Sequence, residues 1–406
     1  MRRFPSSCWC ALAAALCACA QAPANAPARA APVVTAPAPM PPASMTVRPG
    51  AIAQSPAPAL DRATVPPPAA PEAPPAPIAL ILPAPSTAFA RAAEAVKLGF
   101  FAAHRAAPAH VRIEVIEIED NLAQLKNALV AAAKRGVRLA VGPLTRTLVN
   151  ALGDGRVSAP LPVLTLNLPE SDVAVTAESL AFGLAIEAEA RQVVALALAE
   201  LPPATSTAPR FLLLAGESAL ARRIAAAFRE ALRERGERAV QLEVKVGYAV
   251  LQTLAERLPQ LKEVQAALAA LDAREAAFIR PRLPAALPVY ATSQVNLGGA
   301  EAALLAADLE GVRFVDMPWL LEPDHPAVMI YPRAEVALSG ELQRLYALGI
   351  DAFRLAIEWA QGRRSFGLDG VTGALAVDRD RSARVERVPT LAVFRNGKVE
   401  RRGLAR

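Results

Sequence analysis

Between residues 78 and 400 the chain alternates short apolar runs with longer segments of helical spacing. IALIL (78–82) is continuously apolar, as a strand covered on both faces should be, and PAPS ends it. FARAAEAVKLGFFAAHRAA (89–107) carries the apolar spacing of an amphipathic helix, and VRIEVIEI (111–118) alternates like a strand. NLAQLKNALVAAAKRG (121–136) predicts a second helix, stopped at Gly136. VRLAVG (137–142) and LPVLTLN (161–167) predict strands, and EAEARQVVALALAEL (187–201) predicts a helix that closes this first series. A second series opens at PRFLLLAG (209–216). It continues with the helix ARRIAAAFREALRERG (221–236), the strand AVQLEVKV (239–246) and further strands at LPVYATS (287–293) and GVRFVDMPW (311–319). Alanine hides the period of VQAALAAL (264–271), so helix and strand both fit. Its place before DAREAAFIRPRL favours a buried strand feeding a helix. GELQRLYALGIDAFRLAIEWAQG (340–362) predicts one long helix, and residues 366–380 and 384–397 predict hairpins with Gly and Asp turns.

Helices between short apolar strands imply βαβ units and mostly parallel sheets. The two series therefore predict an α/β fold of two doubly wound lobes with a cleft between them. The first lobe spans about 78–205 and the second about 209–335, and the helix and hairpins of 340–400 bridge them. Open α/β sheets bind ligands beyond the carboxyl ends of their strands. The candidate cleft residues are then Ser86, Thr87, Thr145, Asn167, Ser218, Thr292, Ser293 and Asp316. The same residue types cap helices and make turns, and that reading stands beside the first at every position. Tyr290, just before this group, reads equally as a ligand contact or a core residue.

Composition changes the picture before residue 78. From Ala20 to Pro77 the sequence is almost all Ala and Pro, holds 17 of the chain's 37 prolines and has no aromatic residue. Such a segment lacks the apolar surface to offset ordering, and proline favours the extended polyproline form. Fully extended, it would reach about 180 Å, the length of a spacer. Ahead of it, MRRFPSSCWCALAAALCAC (1–19) has a basic head and an apolar run too short to span a bilayer, as in a secretory signal. The chain's 4 cysteines, Cys8, Cys10, Cys17 and Cys19, all lie here, so no later cysteine supports a disulfide or a thiol site in residues 78–400. Leu16, Cys17 and Ala18 before Cys19 resemble a bacterial lipobox. That pattern implies removal of residues 1–18, acylation of Cys19 and, because Ala20 is not Asp, the outer membrane; an ordinary signal peptide cut nearby is the alternative. The formal charge of +6 is spread along the chain without a basic, aromatic-interleaved block, so nucleic-acid binding has little support.

Familiar catalytic patterns do not occur. There is no GxSxG elbow, HExxH, Walker A or GxGxxG sequence. The 3 histidines, His104, His110 and His325, are too scattered for a metal triad by periodicity. Glu117 and Glu119 share one strand face, and Asp369 and Asp378 bracket a hairpin. Asp316 with His325 is the least unfavourable enzymatic pair. Nothing here calls for a cofactor.

Several stretches together, in order, resemble the LppC/LpoA-type lipoproteins, activators of penicillin-binding proteins. They include IALILPAPSTAFARAAEAVKLGFFAA (78–103), AVGPLTRTLVNAL (140–152), LPVLTLN (161–167), AFGLAIEAEARQV (181–193), DLEGVRFVDMPWLL (308–321) and FGLDGVTGALAVD (366–378). The resemblance implies a type I periplasmic-binding-protein fold over 78–400 and a lipid-anchored body facing the periplasm. It also implies a non-catalytic adaptor whose partner is a class A penicillin-binding protein, a bifunctional peptidoglycan synthase. Longer members carry a helical-repeat domain where this chain has the Ala/Pro tract, so functions of those repeats are not carried over. The alternative is a solute-binding or sensing module for a small polar ligand, since the fold does not fix the function.

Overall fold

The computed structural model describes residues 77–107, 111–170, 178–204 and 206–404. The signal segment, Cys19, the Ala/Pro tract up to residue 76 and His110 lie outside the described residues. The chain builds β1 (Ile78–Pro83), α1 (Ala90–Ala106), β2 (Ile113–Ile118), α2 (Leu122–Lys134), β3 (Leu139–Val141), α3 (Arg146–Gly153), β4 (Val163–Thr165) and β5 (Ser179–Ala181). These strands form a parallel sheet in the order β2-β1-β3-β4-β5. Every residue of β1 is buried, as its unbroken apolar run requires, whereas β2 lies at the edge and keeps its glutamates at least partly exposed. Asn121 caps α2 by accepting from the Ala123 and Gln124 amides. Gly136 ends that helix at φ 81°, a conformation that costs other residues about 1–2 kcal/mol.

The chain then crosses to a second lobe. Here lie α4 (Ile186–Glu200), β6 (Phe211–Gly216), α5 (Ala219–Arg233), β7 (Ala239–Val244), α6 (Tyr248–Arg257), β8 (Ala266–Ala270), α7 (Ala273–Ile279), β9 (Val289–Ala291), α8 (Gly299–Leu305) and β10 (Val312–Asp316). It crosses back through the short helices α9 (Pro318–Leu321) and α10 (Pro326–Met329) to the long α11 (Gly340–Ala360). β11 (Ser365–Gly370), β12 (Gly373–Asp378) and β13 (Glu386–Val388) form a small antiparallel sheet. A third crossing brings β14 (Thr390–Arg395) and β15 (Lys398–Leu404) into the second sheet, whose order is β15-β14-β10-β9-β8-β6-β7. The last two strands are antiparallel to their neighbours, and the rest of that sheet is parallel.

One sequence expectation is corrected by packing. The helix at 187–201, read as the close of the first lobe, belongs to the second. Ile186, Ala190, Val193, Val194 and Ala197 pack with Phe211, Leu213, Ile224 and Phe228. The elements of 340–400, expected to bridge the lobes, contribute to the cores of both. Phe353, Leu355 and Trp359 of α11 and Leu375 and Val377 of β12 join the first-lobe core, while Ala392 and Phe394 of β14 join the second. The ambiguous 264–271 stretch is a strand, β8, buried along its whole length between β9 and β6. The strand expected at 161–167 is β4, but periodicity gave no sign of α3 and β5 as separate elements, because eight residues and three residues are too few to repeat.

α1 and α11 lie in direct backbone contact. A Cβ on Gly99 would fall 1.8 Å from the Tyr346 carbonyl oxygen, and one on Gly349 would fall 2.1 Å from that of Val96. Around this contact Phe100 meets Phe353 edge-on with ring centres 5.2 Å apart.

Candidate functional site

The predicted cleft residues sit at the strand ends, and most are occupied by bonds within the protein. Ser86 donates to Glu119 Oε1, and Thr87 donates to the Ala84 carbonyl. Thr145 precedes α3, yet its hydroxyl donates to Asp120 Oδ1 at 2.6 Å and does not cap the helix. Asn167 donates to the Leu144 carbonyl and accepts from the Leu168 amide. These four side chains hold the first-lobe loops in place. Phe89, Leu144 and Leu148 help fill the space among those loops, and the void left there is only about 10 Å³. Ser218 caps α5 through the Ala221 amide.

Thr292, Ser293 and Asp316 lead elsewhere, into the joint between the lobes. Ser293 donates through both its amide and its hydroxyl to Glu189 Oε2 on α4. The other oxygen of Glu189 accepts from Arg387 of β13 at 3.0 Å, and both side chains are 7% exposed. Asp316, ending β10, accepts from Arg344 of α11, from Asn296 and from the Met317 amide. Arg344 also donates to the Ser293 and Asn296 carbonyls. Burial works to lower the Arg344 pKa, and the charge of Asp316 with its hydrogen bonds more than reverses this, so the guanidinium is held more firmly charged than usual. Thr292 is fully buried, and its hydroxyl has no partner among the described residues.

A third buried carboxyl lies on α11. Asp351, two turns along α11 from Arg344, accepts from the Val371 and Thr372 amides and the Thr372 hydroxyl. Burial pushes its pKa up, opposed by Arg354 and by the bonds from Thr372 and Val371. Sequence reasoning missed Arg344, Asp351, Glu189 and Arg387. The available signal was spacing: Arg344 and Asp351 are seven residues apart, on the same apolar stripe as Leu348 and Leu355.

The pair Asp316 and His325 is not formed. Asp316 is taken by Arg344, and His325 caps α10 through Nδ1 with Nε2 3.8 Å from Asp369. Tyr290 faces the α4 side of its sheet and donates to Glu200, so it is a core residue. Among the described residues no cluster of His, Cys, Asp or Glu is set to hold a metal, and no helix is long and apolar enough to cross a membrane.

The open space between the lobes is a cavity of about 440 Å³. Arg146 and Glu170 of the first lobe line it opposite Glu187, Arg191 and Glu234 of the second, with Arg384 at its side. Glu187 is bound by both ends of the Arg223 fork at 2.7 and 2.9 Å. Partial burial raises its pKa, and the Arg223 bonds and charge bring it below the ordinary range. The cavity is therefore polar and of mixed charge, suited to a small polar or zwitterionic molecule rather than an apolar one.

Comparison with solved structures places this arrangement. The LpoA (YraM) C-domain from Haemophilus influenzae, described as a regulator of PBP1A, matches with TM-score 0.64 and 22% identity, over 80% of this chain and 100% of that one. A chain from Chromobacterium violaceum, described as "Structure of a putative branched-chain amino acid ABC transporter", matches with TM-score 0.64 and 34% identity, over 78% and 99%. The fold is that of the type I periplasmic binding proteins. Among curated proteins, the penicillin-binding protein activator LpoA of Vibrio cholerae is 26% identical over 74% of this chain and 54% of its own. The LpoA of Enterobacter sp. is 29% identical over 65% and 42%. The chain thus spans about half the length of the curated relatives it matches. These relatives are regulators in name, in keeping with the reading of this chain as non-catalytic. The family model described as "LppC putative lipoprotein" matches residues 70–275 and 217–397, and on that match the chain belongs to the LppC lipoprotein family.

Proposed function

We propose that this protein is an outer-membrane lipoprotein, anchored through Cys19, that binds a class A penicillin-binding protein from the periplasmic side and stimulates its peptidoglycan synthesis. The observation that carries the reading is the family match across nearly all of 70–397, whose named relatives are activators of such synthases. The lipobox-like LCAC sequence and the Ala/Pro tract behind it support an anchored, far-reaching body. Tethering raises the local concentration of that body near a partner rooted in the opposite membrane. Docking then favours the synthase's active state through contacts made only in that state. The test is transpeptidase turnover by a purified class A synthase with and without this protein. Stimulation together with a measurable complex is expected; no binding and no change in rate reject the reading.

A second reading is recognition of a small polar ligand in the interlobe cavity. The mixed Arg and Glu lining and the 34% identity to the Chromobacterium violaceum chain favour it. Calorimetric titration with amino acids and short cell-wall peptides tests it, and the absence of heat at millimolar ligand rejects it.

A further inference from the structure

Two-lobed α/β proteins joined by several crossings are built to bend at the joint. In this protein one helix interrupts that design. α11 is 21 residues long and is embedded in the first lobe through Tyr346, Gly349 and Phe353. Its first turn, however, is seated in the second lobe. A Cβ on Gly340 would lie 2.1 Å from the Leu297 carbonyl oxygen, so the two backbones touch. One turn on, Arg344 donates to the carbonyls of Ser293 and Asn296 and to both oxygens of Asp316, all in the second lobe.

The same helix touches two of the three crossings and is linked to the third through a chain of bonds. At the crossing after β10, Trp319 packs at a tilt against Tyr346 of α11 with ring centres 5.3 Å apart, and its amide donates to the Val371 carbonyl. At the crossing after β13, Asp351 of α11 holds Thr372, whose carbonyl accepts from Arg387 at 3.0 Å. Arg387 then grips Glu189 just after the crossing that follows β5. Swinging the lobes apart would strip directional bonds from two buried arginines. It would also slide a backbone contact that has no side chain between its surfaces.

We propose that α11 is a splint. With Arg344 and Arg387 as its two latches, it holds the lobes at one fixed angle, so the domain presents a single composite surface and does not cycle between open and closed forms. This goes beyond the activator reading and stands or falls on the chain alone.

The test is a pulsed electron-spin distance measurement on the full chain with its four cysteines replaced by alanine. Spin labels are attached through Lys126→Cys on α2 and Ala226→Cys on α5, two exposed positions in different lobes. One narrow distance is expected, unmoved by amino acids or cell-wall peptides. Arg344→Met, and separately Arg387→Met, should lose that single narrow peak. Two populations or a broad distribution in the otherwise unaltered chain overturn the proposal. So does an unchanged narrow peak in Arg344→Met with native circular dichroism. Should Arg344→Met fail to fold, Arg387→Met and the unaltered chain decide by the same criteria.

Discussion

Arg344 on α11 and Asp316 at the end of β10 pair two-fold across the lobes, Nε to Oδ1 at 3.0 Å and Nη2 to Oδ2 at 2.6 Å, with side chains only 8% and 1% exposed. The planar guanidinium matches the carboxylate edge, a fit that lysine's single ammonium cannot reproduce. Removing one partner leaves the other charged and dry. Arg344→Ala should therefore cost about 3–5 kcal/mol, and Asp316→Ala a similar amount. The double variant Arg344→Met with Asp316→Leu should lose clearly less than the sum of its single changes. Urea unfolding of the four proteins checks this, and strict additivity would show that the pair is not coupled.

Glu187 and Arg223 predict a pH dependence. The folded pKa of Glu187 is depressed, because the Arg223 bonds and charge outweigh the opposing effect of partial burial. The sign follows: the pair's stabilisation is present above the unfolded glutamate value of about 4.3 and is lost as pH falls through the lower folded value. Both side chains are more than a third exposed, so the effect is at most about 1 kcal/mol. The stability gap between the native protein and Glu187→Gln should be widest near neutral pH and close below pH about 4.

The α1–α11 contact predicts an intolerance of side chains. Gly99→Ala places a methyl carbon 1.8 Å from the Tyr346 carbonyl oxygen, and both partners are backbone. The helices must separate, at a cost of about 1–3 kcal/mol. Thermal unfolding should show a clear drop in midpoint, and an Ala-for-Gly change that stabilises the protein would contradict the packing described.

Thr292 predicts the opposite direction. Its hydroxyl is buried with no partner among the described residues. Valine keeps the shape and removes the stranded polar group, which costs about 1–3 kcal/mol when unsatisfied. Thr292→Val should leave stability unchanged or raise it. A loss above about 1 kcal/mol would reveal a bonding partner for the hydroxyl, since such bonds contribute about that much.

The sequence by itself determined much of this protein. The unbroken apolar run of β1, the alternation of β2 and the helical spacing of α1, α2, α5 and α11 follow from local periodicity, and so did the α/β class. Caps such as Asn121 and Ser218 are legible because they bond to amides two or three residues away. Tertiary structure decided which sheet each apolar stripe covers. α4 has an apolar stripe that either lobe could take, and the chain from Phe182 to Ala185 carries it to the second. Tertiary structure also decided that Ser293 and Asp316, polar residues at strand ends, are buried in a joint and do not line an open cleft. Their partners Glu189 and Arg344 lie 104 and 28 residues away along the chain. Periodicity records which face of a segment avoids water, and it holds no record of what meets that face.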